Sequence, residues 1–206
     1  MKSVLLSTRP KWCEKICHEV GKDENGKPIY EKSIEVRKTK PSIPTPFKVL
    51  LYCTSSNVHD CLLVNEQGAS LTYAINYKSA IPVGCEIGNG KVIGEFICDK
   101  ISKYPRNYEF GYEISEKEFN ETALTAEQFV DYGKGKPLYG WNISQLKIYD
   151  KPKELREFYK PCPTTEEGDC LSCDCLADND YGGICTNNLT RPPQSWCYVK
   201  ELEERK

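Results

Sequence analysis

Short apolar runs broken by turns dominate the first 150 residues, with little sustained helical period. Val4-Leu5-Leu6-Ser7 reads as a first strand that Arg9-Pro10 ends. Residues 47–53, apolar apart from Lys48, have strand length and predict a buried strand. Residues 90–98 predict another, and its interior Gly94 signals a bulge or a close backbone approach. Trp12, Ile16 and Val20 recur at helical spacing, with Pro10 suited to the first helical position, so the spacing predicts a helix over 11–20. Asn25-Gly26 predicts a hairpin turn. Residues 54–76 are less regular and read as a long insertion loop or a hairpin, and 101–114 as an extended excursion. Thr125 and Gln128 form a capping box that opens a helix stopped by residues 133–137. Residues 139–146 and 147–149 read as the last strands, Lys151-Pro152 as their close, and 153–158 as a short helix leading outward.

Strands that do not alternate regularly with long helices argue against a doubly wound parallel sheet. The predicted class is α+β: a small, mostly antiparallel, partly closed β-barrel with short flanking helices. A chain of 206 residues accommodates this domain plus an appendage. The composition shift near residue 161 divides it into a barrel over 1–155 and a Cys-rich C-terminal extension over 156–206.

The chemistry concentrates in Glu31-Lys32-Ser33-Ile34-Glu35-Val36-Arg37. Strand alternation puts Ser33, Glu35 and Arg37 on one face and Lys32, Ile34 and Val36 on the other. A carboxylate and a cation two residues apart on one face form a charge-assisted pair suited to gripping a polar planar ligand. Under ideal alternation Lys32 and Arg37 diverge, and only a bulge or twist brings both into one cleft. Lys38 and Lys40 extend the most basic local patch of the chain.

Taken with Ser7-Thr8-Arg9-Pro10-Lys11-Trp12, this stretch resembles the ASCH family of the PUA-like superfamily, on Arg9, Pro10, Lys32, Glu35 and Arg37. The resemblance continues through Tyr52-Cys53-Thr54, residues 90–96 and residues 139–143. An insertion between the helix and the Lys32 strand departs from the family's tight turn. The resemblance implies a PUA-like barrel that binds RNA or a nucleobase-containing ligand, with Arg9, Trp12, Lys32, Ser33, Glu35 and Arg37 lining the cleft. One branch of the family implies an amidohydrolase of acylated cytidine, in which Lys32 and Glu35 would be the catalytic positions. Glu35 stands where that branch carries a threonine nucleophile, and Glu95 is the candidate second acid. A third reading is a phage-derived protein-interaction module, since the whole chain resembles phage and prophage accessory proteins.

A formal net charge of −2 gives no global pull toward nucleic acid, so a site for it must be local. The N-terminal apolar run is too short for a secretory signal, and no apolar run reaches membrane-spanning length, so a cytoplasmic protein is expected. In that compartment the 12 cysteines are not a disulfide framework. Half of them (Cys162, Cys170, Cys173, Cys175, Cys185 and Cys197) crowd the end of the chain. Cys170 and Cys173 have the two-residue spacing that lets two thiolates meet one zinc ion. Cys185 and Cys197 complete a predicted structural Zn2+ site, with Cys162 or Cys175 as alternates. His18 and His59 are isolated and read as surface residues. Trp196 and Tyr198 alternate with Cys197 and read as rings docked on the barrel.

Overall fold

The computed structural model describes residues 3–55, 60–65, 68–73, 81–107, 111–161 and 187–201. The chain opens with strand Ser3–Thr8 (β1), helix Pro10–Cys17 (α1), and a hairpin of Glu19–Lys22 (β2) and Pro28–Tyr30 (β3). Ile34–Arg37 (β4) and Phe47–Cys53 (β5) follow, then Asp60–Asn65 (β6), Gly68–Tyr73 (β7) and Glu86–Ile87 (β8). Next come Lys91–Cys98 (β9), Ile101–Tyr104 (β10), Arg106–Asn107 (β11) and Gly111–Tyr112 (β12). Helices Glu116–Glu121 (α2) and Ala126–Gly133 (α3) precede Leu138–Asn142 (β13) and Ser144–Glu154 (β14). A 3₁₀ turn at Leu155–Glu157, then Phe158–Tyr159 (β15) and Trp196–Glu201 (β16), complete the order.

Six strands make the main sheet in the order β14-β9-β5-β1-β16-β15. Only β1 and β5 run parallel; its other neighbours are antiparallel. A second sheet, β10-β13-β4, carries the charged stretch, and β7-β6-β8 form a third. The fold is α+β, mostly antiparallel, curled into a half-barrel with short helices.

The central strands of the main sheet are buried on both faces, which explains their mostly apolar runs. Val4, Leu6, Val49, Leu51 and Phe96 join Cys13 and Ile16 of α1 and Leu62 of β6 on one side. Leu5, Leu50, Tyr52, Val92 and Val199 join Phe158 and Leu189 on the other. Ile34 and Val36 belong to a separate small core with Phe129 of α3, Tyr104 and Leu138. This small core sets the α2–α3 segment against β4.

Several expectations hold in detail. Thr125 caps α3 in a reciprocal box with Gln128, and Lys134 closes it in the left-handed region. Gly26 has a positive φ in the hairpin turn. β6 and β7, within the stretch read as a loop or a hairpin, pair antiparallel from Asp60 opposite Tyr73 to Asn65 opposite Gly68. A Cβ on Gly94 would lie 2.5 Å from the Lys147 carbonyl oxygen, the close backbone approach that its place in the strand signals.

Other boundaries differ. α1 stops at Cys17 because His18 turns extended and its carbonyl accepts the Glu31 N–H at 2.9 Å, opening the β2–β3 hairpin. Val20 therefore leaves the core and is exposed. Lys151-Pro152 does not end the last strand: β14 runs to Glu154 across register shifts against β9. The expected helix over 153–158 is one 3₁₀ turn.

Residues 187–201 are built into the main sheet. β16 lies between β1 and β15, with Leu5 opposite Cys197 and Ser3 opposite Val199. Lys160 N–H donates to the Asn187 carbonyl at 3.0 Å, and Leu189 N–H to that of Phe158 at 2.8 Å. The division expected at 155/156 thus falls just before two strands of that sheet. Trp196 and Tyr198 pack edge to face at 5.5 Å against the α1 side.

Candidate functional site

β1 ends in Ser7 and Thr8, and Arg9 turns the chain into α1. The next strand to approach this corner is β4, joined to β13 with Glu35 opposite Trp141 and Arg37 opposite Tyr139. Between them lies a cavity of about 380 Å³, within the size range of small-molecule sites. Its walls come from four parts of the chain. Thr8, Arg9 and Trp12 line the α1 side; Lys32, Glu35 and Arg37 form the charged wall; Leu124, Gln128 and Tyr132 face them from α3 and its lead-in. Gln194 and Ser195 line it from the segment before β16. That segment is tied to β1 by Ser7 N–H to the Ser195 carbonyl at 2.8 Å and Ser7 Oγ–H to that of Pro193 at 2.7 Å.

Lys32 and Arg37 converge. Glu35 Oε2 lies 3.3 Å from Lys32 Nζ, and Oε1 lies 2.8 Å from Arg37 Nη2. Ideal alternation does not apply because β4 begins only at Ile34, so Lys32 sits in the irregular chain before it. From there its Nζ also donates to the carbonyls of Ile34 at 2.8 Å and Thr122 at 2.6 Å. Arg37 Nη2 donates to the Ser7 carbonyl at 2.8 Å and Thr8 Oγ1 at 3.0 Å, fixing β4 to the end of β1. Lys32 is 1% exposed and Glu35 6%. A buried triad of this kind persists only when each charge is paired and hydrogen-bonded.

Burial pushes the Lys32 ammonium below its ordinary lysine value, with the Glu35 carboxylate opposing the shift. Burial raises the Tyr132 phenol, while the Arg37 guanidinium against it pulls the other way. Lys32 Nζ lies 5.5 Å from the centre of the half-exposed Trp12 ring, and Lys38 Nζ lies 5.0 Å from that of Tyr132. The cavity thus holds two aromatic walls and a fixed carboxylate flanked by cations.

Of the predicted site residues, Arg9, Trp12, Lys32, Glu35 and Arg37 meet in this cavity. Ser33 does not line it: its N–H donates to the Glu121 carbonyl, and its own carbonyl accepts from Ile143 N–H at 2.8 Å. Glu95 lies elsewhere, on β9, accepting from Tyr149 Oη–H at 2.8 Å and paired with Lys48 at 3.1 Å. Burial pushes its carboxyl up, but those two partners outweigh it and hold the group below the ordinary range. The contributions of α3 and of Gln194 and Ser195 were missed from sequence. Only the Gln128 capping box marked that region, and it marks a helix start whatever the helix faces.

Cys170, Cys173 and Cys185, and the alternates Cys162 and Cys175, lie outside the described residues, as does His59. Cys197 is described, and its half-buried side chain packs on the Leu5–Val199 core, where burial raises its thiol pKa. No group of three or more metal-ligating side chains occurs among the described residues. No helix among them is long and apolar enough to cross a membrane.

No family model and no curated protein matches the chain. Among solved structures, it is similar to ASCH from Zymomonas mobilis, with 14% identity over 96% of this chain and 87% of that one, at a TM-score of 0.48. A tyrosine-to-phenylalanine mutant of that protein aligns at 15% identity over 97% of this chain and 91% of its own, with a TM-score of 0.49.

Proposed function

We propose that the cavity binds RNA or a nucleobase-containing ligand. The observation that carries this reading is that Glu35, Trp12 and Tyr132 line one cavity of nucleoside size. A base enters between the aromatic walls, where stacking contributes about 1–3 kcal/mol per base. Each Glu35 oxygen has two lone-pair directions and receives one cation, so capacity remains to accept from an exocyclic amine. Arg9 and Arg37 are donors for a carbonyl or a phosphate.

Glu35→Gln tests the assignment. Glutamine adds a donor, so preference is expected to move from cytosine toward uracil by roughly tenfold, about 1.4 kcal/mol, with overall affinity changed less. Calorimetric titration of cytidine and uridine against both proteins measures it. An unchanged ratio removes Glu35 from base recognition.

The depressed Lys32 ammonium favours one catalytic alternative, hydrolysis of an acylated cytidine with Lys32 as base. It calls for turnover of N4-acetylcytidine that Lys32→Ala abolishes. Glu35 offers no hydroxyl, and Lys32 already donates to two carbonyls, so binding is the stronger reading.

The zinc proposal stands on cysteine spacing. One Zn2+ per chain is expected in native mass spectra of protein purified without chelator, lost in the Cys170→Ser, Cys173→Ser double variant. Cys197 packs against the core, so Cys162 or Cys175 is better suited than Cys197 to join those two and Cys185. Metal-free protein with unchanged folding contradicts the site.

A further inference from the structure

We propose that the cavity contains an anion subsite at the start of α1, and that its ligand is a nucleoside phosphate, not a free base or nucleoside. This rests on the nucleobase reading of the same cavity and narrows it.

The first observation is charge. Arg9, Lys32 and Arg37 face the cavity against the single carboxylate of Glu35, a net +2 at neutral pH. Counting Lys32 as neutral still leaves an excess cation. Lys38 adds another close by, over the Tyr132 ring. A neutral nucleoside leaves that excess uncompensated, whereas a phosphate ester of charge −1 to −2 matches it.

The second is an orphaned donor. Arg37 Nη2 serves Glu35, Ser7 and Thr8, and the Tyr132 phenol lies against the same guanidinium, while Nε–H is buried with no hydrogen-bond partner among the described residues. The Arg37 side chain is 9% exposed and lines the cavity. Leaving such a donor unsatisfied is costly, and a phosphate oxygen is its natural complement.

The third is the helix end. α1 starts at the cavity with Arg9 as N-cap, Pro10 in its first turn, no side-chain cap and no acidic residue in that turn. Pro10 has no N–H, and the Trp12 and Cys13 N–H groups donate to the Arg9 carbonyl at 2.9 and 3.0 Å, so the helix end contributes its dipole and the Lys11 N–H. The exposed Arg9 side chain is free to fold over a phosphate held between α1 and Arg37.

Calorimetric titration of the full chain with cytidine, cytidine 5′-monophosphate, cytidylyl-cytidine and ribose 5-phosphate tests the proposal. One phosphorylated cytidine form is expected to bind at least tenfold more tightly than cytidine; which one tells a terminal phosphate from a strand phosphodiester. Arg9→Ala, at an exposed position, is expected to cut that advantage to threefold or less. Arg37→Lys, checked for folding by circular dichroism, is expected to reduce it likewise, keeping the charge but losing the guanidinium donors. Equal affinity for cytidine and both phosphorylated forms overturns the subsite and leaves the base-binding reading standing. Binding of ribose 5-phosphate as tight as the nucleotide, with none of cytidine, keeps the subsite and overturns base recognition. No binding by any of the four overturns both.

Discussion

Glu35→Ala is expected to destabilise the protein by about 3–5 kcal/mol, the cost of removing one member of a buried ion group. Lys32 and Arg37 would remain 1% and 8% exposed with no carboxylate between them. Lys32 keeps its carbonyl acceptors on Ile34 and Thr122, and Arg37 keeps Ser7 and Thr8. These satisfy hydrogen bonding but supply no counter-charge. For a chain of this size the loss corresponds to a fall in melting temperature of roughly 10 °C. The combined variant Lys32→Met, Glu35→Leu, Arg37→Met removes all three charges, and most of the lost stability should return. Urea unfolding of the three proteins measures both effects. A Glu35→Ala protein within 1 kcal/mol of wild type would show that water reaches the triad and that its charges are not held as the geometry implies.

Gly94→Ala is the second large effect, and it arises in backbone. The added Cβ meets the Lys147 carbonyl oxygen at 2.5 Å and Ile148 Cα at 3.2 Å, neither of which a side-chain rotation relieves. β9 and β14 must separate there, opening the pairing of Glu95 with Lys147 and Gly94 with Ile148. The expected cost is about 3 kcal/mol, the upper end for overpacking a core. Gly140→Ala is expected to cost less, since its Cβ meets the Tyr104 side chain, with the hydroxyl at 2.3 Å. Equal stabilities of Gly94→Ala and wild type in urea would mean that β14 is not seated on Gly94.

The strands of the main sheet were legible because burial on both faces leaves mostly apolar runs, as in β1, β5 and β9. Gly94 was legible for the same reason: in such a run a missing side chain signals a close neighbour. The Lys32–Glu35–Arg37 wall was visible as residue types, but its geometry was not. Alternation separated Lys32 from Arg37, and only the late start of β4 brings them to one carboxylate. The α3 wall was hidden because α3 is positioned by packing Phe129 on Ile34 and Val36, contacts that span about ninety residues and leave no local trace. β16 was hidden by sequence distance too. Its Trp-Cys-Tyr-Val alternation suits a strand, yet its partner lies at the other end of the chain.

Native mass spectrometry of the purified protein with added nucleosides, nucleotides and short RNAs tests most directly that the cavity is a nucleobase site. A one-to-one adduct is predicted with wild type, lost in Trp12→Ala, where a half-exposed ring is removed from the cavity wall and the core is left intact. No adduct with any of these ligands, or one retained in both Trp12→Ala and Arg37→Ala, would contradict the account.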